Sequence, residues 1–170
     1  MPNIGEVVTI ADIEWVVLDK NDDAVLCLAK DCVYKKMRFG DKNSNYANSY
    51  IREKLNEDLL PRIINSVGED ALFDTVINLL TENGYDDYRA VIDKVGILTL
   101  DMYRMYGRII RNHEIDSECW LATAASVDGE SHGGLLLTVG NSDGIGWGNY
   151  RSEHAVRPFC IFRASVIKAN

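Results

Sequence analysis

Gly140 to Phe162 reads GNSDGIGWGNYRSEHAVRPFCIF, a run in which glycines at 140, 144, 146 and 148 surround one large aromatic and lead into Val156-Arg157-Pro158-Phe159. Glycine permits positive backbone torsions and close approach of one backbone to another, so the run predicts an irregular but ordered loop and not a flexible linker. Such a loop presents Trp147, Asn149 and Tyr150 outward, and Ala155 to Arg163 behind it reads as a strand. No catalytic signature accompanies it. The expectation is a compact α+β domain whose work is recognition.

Outward from this stretch, Leu135 to Val139, Cys119 to Thr123 and Val95 to Leu100 are short apolar runs of strand character. At the other end, Val7 to Ile10, Glu14 to Leu18 and Ala24 to Ala29 read as an antiparallel meander, with Asn21-Asp22-Asp23 a hairpin connection and Trp15 facing the core. The polar passage Lys35 to Asn48 reads as a loop. Ser49 is placed to cap a helix through Ile51, Arg52 and Leu55 to Asn56, and a second helical piece covers Leu59 to Val67. From Glu69, Leu72, Phe73, Val76, Leu79 and Leu80 recur at helical spacing up to the stop signal Asn83-Gly84. Asp101 is the expected cap of a helix from Met102 to Arg111. Strands, then helices, then strands predict α+β and not a doubly wound sheet.

The chain has 170 residues, 46% of them hydrophobic, and three prolines. A chain of this length buries roughly 70% of its unfolded surface, enough for one core, so residues 1–170 are read as a single domain. Glu6, Asp12, Glu14 and Asp19 interrupt the first twenty residues, unlike a secretory signal, and no run reaches the roughly 18 apolar residues of a membrane span. The expected location is cytoplasmic, with no membrane partner. Cys27, Cys32, Cys119 and Cys160 fit reduced thiols, the spacing of the first two matching neither a redox nor a metal pair. A net charge of −8 disfavours nucleic acid, whose binding draws on clustered Lys and Arg.

The candidate ligand-binding residues are Asn141, Asp143, Trp147, Asn149, Tyr150, Arg151 and Arg157. An indole on a loop of small residues is a contact anchor for a sugar ring or a side chain, or else packs the loop down. Arg157 has a planar head of five donors that can gather loop carbonyls or clamp a ligand. No catalytic residue, metal site or cofactor is assigned. His113, His132 and His154 lack zinc spacing, Ser131-His132 lacks a nucleophile turn, and Gly140 to Gly148 lacks the ending of a phosphate loop. Asp128, Glu130 and Asp143 do not form a calcium series. Arg104, Arg108 and Arg111 make a basic stripe on the later helix, read first as a solvated face, and Lys30, Lys35, Lys36 and Arg38 make a second basic patch.

Several segments together resemble an uncharacterised family of small domains found in bacterial and mobile-element genomes. They are Glu14-Trp15-Val16-Val17-Leu18, Tyr46-Ala47-Asn48-Ser49-Tyr50-Ile51-Arg52 with Leu55-Asn56, Leu98-Thr99-Leu100-Asp101, Trp120-Leu121-Ala122-Thr123 and Val156-Arg157-Pro158-Phe159. The closing part is also similar to the end of C-type-lectin-like domains, which include the formylglycine-generating enzyme fold. That resemblance implies a C-type-lectin-like fold whose loops bind ligand. Relatives often carry Trp-Leu-Arg-Thr where this chain has Ala122, and the cysteine pair needed for the oxidase activity is not matched by Cys119 and Cys160.

The functional expectation is a non-enzymatic module that binds a protein or carbohydrate ligand through the glycine-rich loop. Two alternatives stand beside it: an enzyme with a site assembled from His132, His154 and Arg157, and a structural or assembly module.

Overall fold

The expected meander is formed by Val7–Ile10 (β1), Ile13–Lys20 (β2) and Ala24–Ala29 (β3) in a computed structural model that describes residues 1–140 and 144–167. Asn21 makes the hairpin, its side-chain oxygen accepting from the backbone N–H groups of Asp23 and Ala24. Trp15 is fully buried, donates its indole N–H to Ile10 O at 3.1 Å and meets Phe162 edge to face at 5.3 Å. Burying an indole is favourable only when its N–H finds an acceptor.

The remaining strands are Tyr34–Arg38 (β4), Thr75–Asn78 (β5), Ala90–Asp93 (β6), Val95–Ile97 (β7), Cys119–Ala124 (β8), Leu135–Gly140 (β9), Gly144–Asn149 (β10), Glu153–Val156 (β11) and Pro158–Arg163 (β12). They build a five-stranded sheet of order β1-β2-β3-β12-β7, a second of order β10-β9-β8-β11-β4, and the hairpin β5-β6. The helices are Tyr50–Lys54 (α1), Leu60–Val67 (α2) and Leu100–Arg111 (α3). Strands predominate among the described residues, α3 is the longest α-helix, and the class is α+β. No helix is long and apolar enough to cross a membrane.

Ser49 caps α1, its hydroxyl accepting from Arg52 N. A π-helical turn, Leu55–Leu59, joins α1 to α2 just before Pro61, where a proline lacks its N–H and crowds the preceding turn. The helices are fastened to the hairpin by Arg52, whose Nε and Nη2 both donate to the buried Asp93 carboxylate at 2.8 Å. A forked pair of this kind fixes orientation as well as charge.

Five expectations are corrected. The helix expected after Glu69 is a single 3-10 turn, Glu69–Ala71, followed by β5. Its apolar spacing suits either structure, and the β-branched Thr75-Val76-Ile77 finds cross-strand partners in β6, with Val76 opposite Ile92. The Lys35 to Asn48 loop begins as β4, a lysine-bearing edge strand paired with β11. Thr99, not Asp101, caps α3, accepting from Met102 N. The glycine-rich loop is a strand, β10, in register with β9. The long closing strand is two strands in different sheets, divided at Arg157. All four cysteines are free, and Cys27 lies directly opposite Cys160 across β3 and β12, not beside Cys32.

Candidate functional site

β10 alternates Gly144-Ile145-Gly146-Trp147-Gly148-Asn149. In a strand, alternate residues face opposite sides, so the glycines take one face and Ile145, Trp147 and Asn149 the other. The glycine face is thin because large groups press on it. A Cβ on Gly148 would lie 2.7 Å from His154 Nε2 and 2.8 Å from the Trp120 ring, and one on Gly146 would lie 3.1 Å from Glu118 Oε1. Trp120 is buried, donates its indole N–H to Met37 O at 2.8 Å, and meets His154 edge-on at 4.4 Å. Glu118 accepts from the Thr138 hydroxyl and faces His154 Nδ1 at 3.3 Å. These groups form a polar support under the strand.

Trp147 stands on the opposite face, 54% exposed, with Ile145 beside it at 42%. The other two tryptophans are buried. The indole is positioned nonetheless: its N–H donates to Glu82 Oε2 at 3.1 Å, and its ring lies 5.4 Å from the His132 imidazole at 44°. His132 has φ +66°, in the left-handed region that a residue with a side chain enters at a cost of about 1–2 kcal/mol. The turn that carries this dihedral also carries the ring that lies beside the tryptophan. Glu82 is remote in sequence, and no spacing or composition could have pointed to it.

The seven candidate residues do not form one cluster. Asn141 and Asp143 lie outside the described residues. Asn149 turns its side-chain oxygen back to Arg151 N, as a turn residue does, and Arg151 lies over the Tyr150 ring at 5.3 Å. Tyr150 is half-buried and packs on the core, so it supports the strand end more than it presents itself. Arg157 is buried elsewhere: Nε donates to Ala29 O, and Nη2 to Lys30 O and His113 O. It ties the end of β3 to the loop after α3 and does not reach Trp147. His132 lies on the Trp147 face, while His154 lies beneath the glycine face. The three groups of the enzymatic alternative therefore have separate surroundings.

A cleft of about 600 Å³ opens between α3 and the β8-β9-β10 side of the second sheet, with Ile145 in its wall. Leu98, Tyr103, Ile110 and Leu121 line it, together with Arg104, Arg111 and Arg157. Burial pushes the Cys119 thiol on its wall up to about 12, which makes it a poor nucleophile at neutral pH. Among the described residues no three or more His, Cys, Asp or Glu side chains are grouped to hold a metal ion.

No family model matches the chain, and no curated protein or solved structure matches it. The functional reading therefore stands on the geometry of these two features.

Proposed function

We propose that the chain is a recognition domain of C-type-lectin-like architecture, belonging with the uncharacterised bacterial and mobile-element domains it resembles, that binds a protein or carbohydrate ligand without catalysing a reaction. The ligand contacts the outer face of β10. The observation supporting this reading is the half-exposed Trp147, oriented by Glu82 and His132 on a strand that is otherwise mostly glycine. A preoriented aromatic loses little conformational freedom on contact, and its faces suit a sugar ring or an apolar side chain.

Because Trp15 and Trp120 are buried, ligand-dependent changes in acrylamide quenching report chiefly on Trp147. A panel of oligosaccharides and peptides, read by this quenching and by direct binding, is expected to yield a ligand that protects the indole. Trp147→Ala should weaken it at least tenfold while melting stays close to wild type. A panel with no protecting ligand, or equal binding by the Trp147→Ala protein, removes the outer face as the recognition surface.

An assembly role has its own supporting observation. Val76 and Ile92 face each other across β5 and β6 and are 68% and 65% exposed. Sedimentation of wild type against Val76→Thr with Ile92→Thr separates this reading from the first. A concentration-dependent mass abolished by the pair supports assembly, and a monomer in both excludes it.

A further inference from the structure

We infer that the cleft between α3 and the second sheet binds a small amphipathic anion, an aliphatic chain ending in a carboxylate. This site meets the outer face of β10 at Ile145, which lines one wall, but does not include Trp147. The volume of about 600 Å³ falls within the roughly 300–1,000 Å³ of small-molecule sites. Its floor is made by the buried Leu98, Tyr103, Ile110 and Leu121, a surface that favours hydrocarbon over water.

The charge on this wall runs against that of the chain. Arg104, Arg111 and Arg157 line the cleft, opposed among the described lining residues by Glu114 alone, in a protein of net charge −8. Three positive groups less one negative leaves a surplus of two. Arg104 and Arg111 are seven residues apart on α3, roughly 10 Å along one face of the helix. Both are exposed, and the contact of Arg104 with Asp101 is long, at 3.9 Å. Arg111 lies back over Gly107, where a Cβ would come within 3.1 Å of its Nη1. Exposed guanidiniums at an apolar cleft draw an anion toward it by long-range attraction.

Arg157 supplies the inner anchor. It is 8% exposed and spends Nε and Nη2 on three carbonyl oxygens, while Nη1 meets no acceptor among the described residues. Asp31 is near enough to favour its charge, but forms no ion pair with it and accepts from Cys32 N. A buried guanidinium whose hydrogen bonds go to neutral carbonyls is short of a counter-charge. One spare terminal nitrogen matches a singly charged head, whereas a dianionic phosphate asks for more donors.

The test is calorimetric titration of the whole protein with decanoate, with decanol as the tail without charge and acetate as the head without tail. Decanoate should bind saturably at one site, and decanol and acetate at least tenfold more weakly. Arg104→Glu combined with Arg111→Glu should weaken decanoate at least tenfold without shifting the melting temperature. Both positions are exposed, so the fold survives the change. Trp147→Ala should bind decanoate as wild type does, so failure of the outer-face reading and failure of this one are read separately. Absence of saturable binding, equal affinity for decanol, tighter binding of decyl phosphate, or full affinity in the double charge reversal would each overturn the assignment.

Discussion

β4 and β10 are the two edges of one sheet, and they are finished in opposite ways. β4 carries Lys35, Lys36 and Arg38, all exposed, while β10 carries no charge from Gly144 to Asn149 and exposes Ile145 and Trp147. An open edge is a template for another strand, and charged side chains are the common means of blocking it. Here one edge is blocked and the other is left apolar and narrow, with its indole held in place. The contrast supports the proposal that β10 serves contact, because the same sheet shows what a charge-guarded edge looks like.

The strongest way to break this comparison is to thicken β10 from beneath. Gly148→Val places carbon against Trp120 and His154 at distances real side chains do not tolerate. The expected cost is on the order of 3 kcal/mol, a fall of roughly 6–12 °C in melting temperature for a domain of this size, measured by calorimetry.

Next in size is conversion of the open edge into a guarded one. Ile145→Lys with Trp147→Lys gives β10 the chemistry of β4 and should weaken ligand at least tenfold, about 1.4 kcal/mol. Stability should change by only about 0.5 kcal/mol, as for exposed positions. Titration together with a melting curve checks both, and retained affinity would show that the edge chemistry is irrelevant. The converse change, Lys35→Thr with Lys36→Thr, removes the guard from β4. Light scattering should then show a concentration-dependent mass greater than that of wild type at equal concentration, and an unchanged profile would mean that these lysines do not protect the edge.

The smallest effect sits at the start of β4. The Tyr34 hydroxyl donates to Asp58 Oδ2, and this bond is the main reason the Asp58 carboxyl is held below its ordinary range. Burial and the same carboxylate push the Tyr34 phenol up. A depressed folded-state carboxyl adds stability above its unfolded value, near pH 4, and loses it as pH falls through the folded value. Tyr34→Phe should therefore flatten the acid side of a melting-temperature profile between about pH 5 and pH 2. A profile parallel to wild type would rule out the linkage.

Much of the first sheet was legible because β1 to β3 are β-branched or apolar runs punctuated by an Asn-Asp-Asp turn. The Ser49 cap was equally plain. β4 was hidden for the reason it is useful: an edge strand defended by lysine has the composition of a loop. β10 was hidden by its glycines, although Ile145, Trp147 and Asn149 kept the alternation of a strand. The β5 segment misled because Leu72, Val76, Leu79 and Leu80 satisfy helical spacing by coincidence, and only pairing with β6 decides between the two periods. Of the site, the sequence marked Trp147, and His132 only for the enzymatic alternative, while Glu82, Glu118 and Thr138 reach β10 through contacts that no local pattern encodes. Arg157 gathers carbonyls, but those of Ala29, Lys30 and His113 and not of the glycine-rich run, and its place in the wall of a cleft depends on α3, far away along the chain.

Val156 ends in one sheet and Pro158 begins in the other, with Arg157 as the whole passage between them. A single residue offers no slack, and its guanidinium is anchored to carbonyls at the end of β3 and in the loop after α3. Neither sheet can peel away while its neighbour stays intact, so amides of β11 and β12 should exchange with deuterium as one cooperative body.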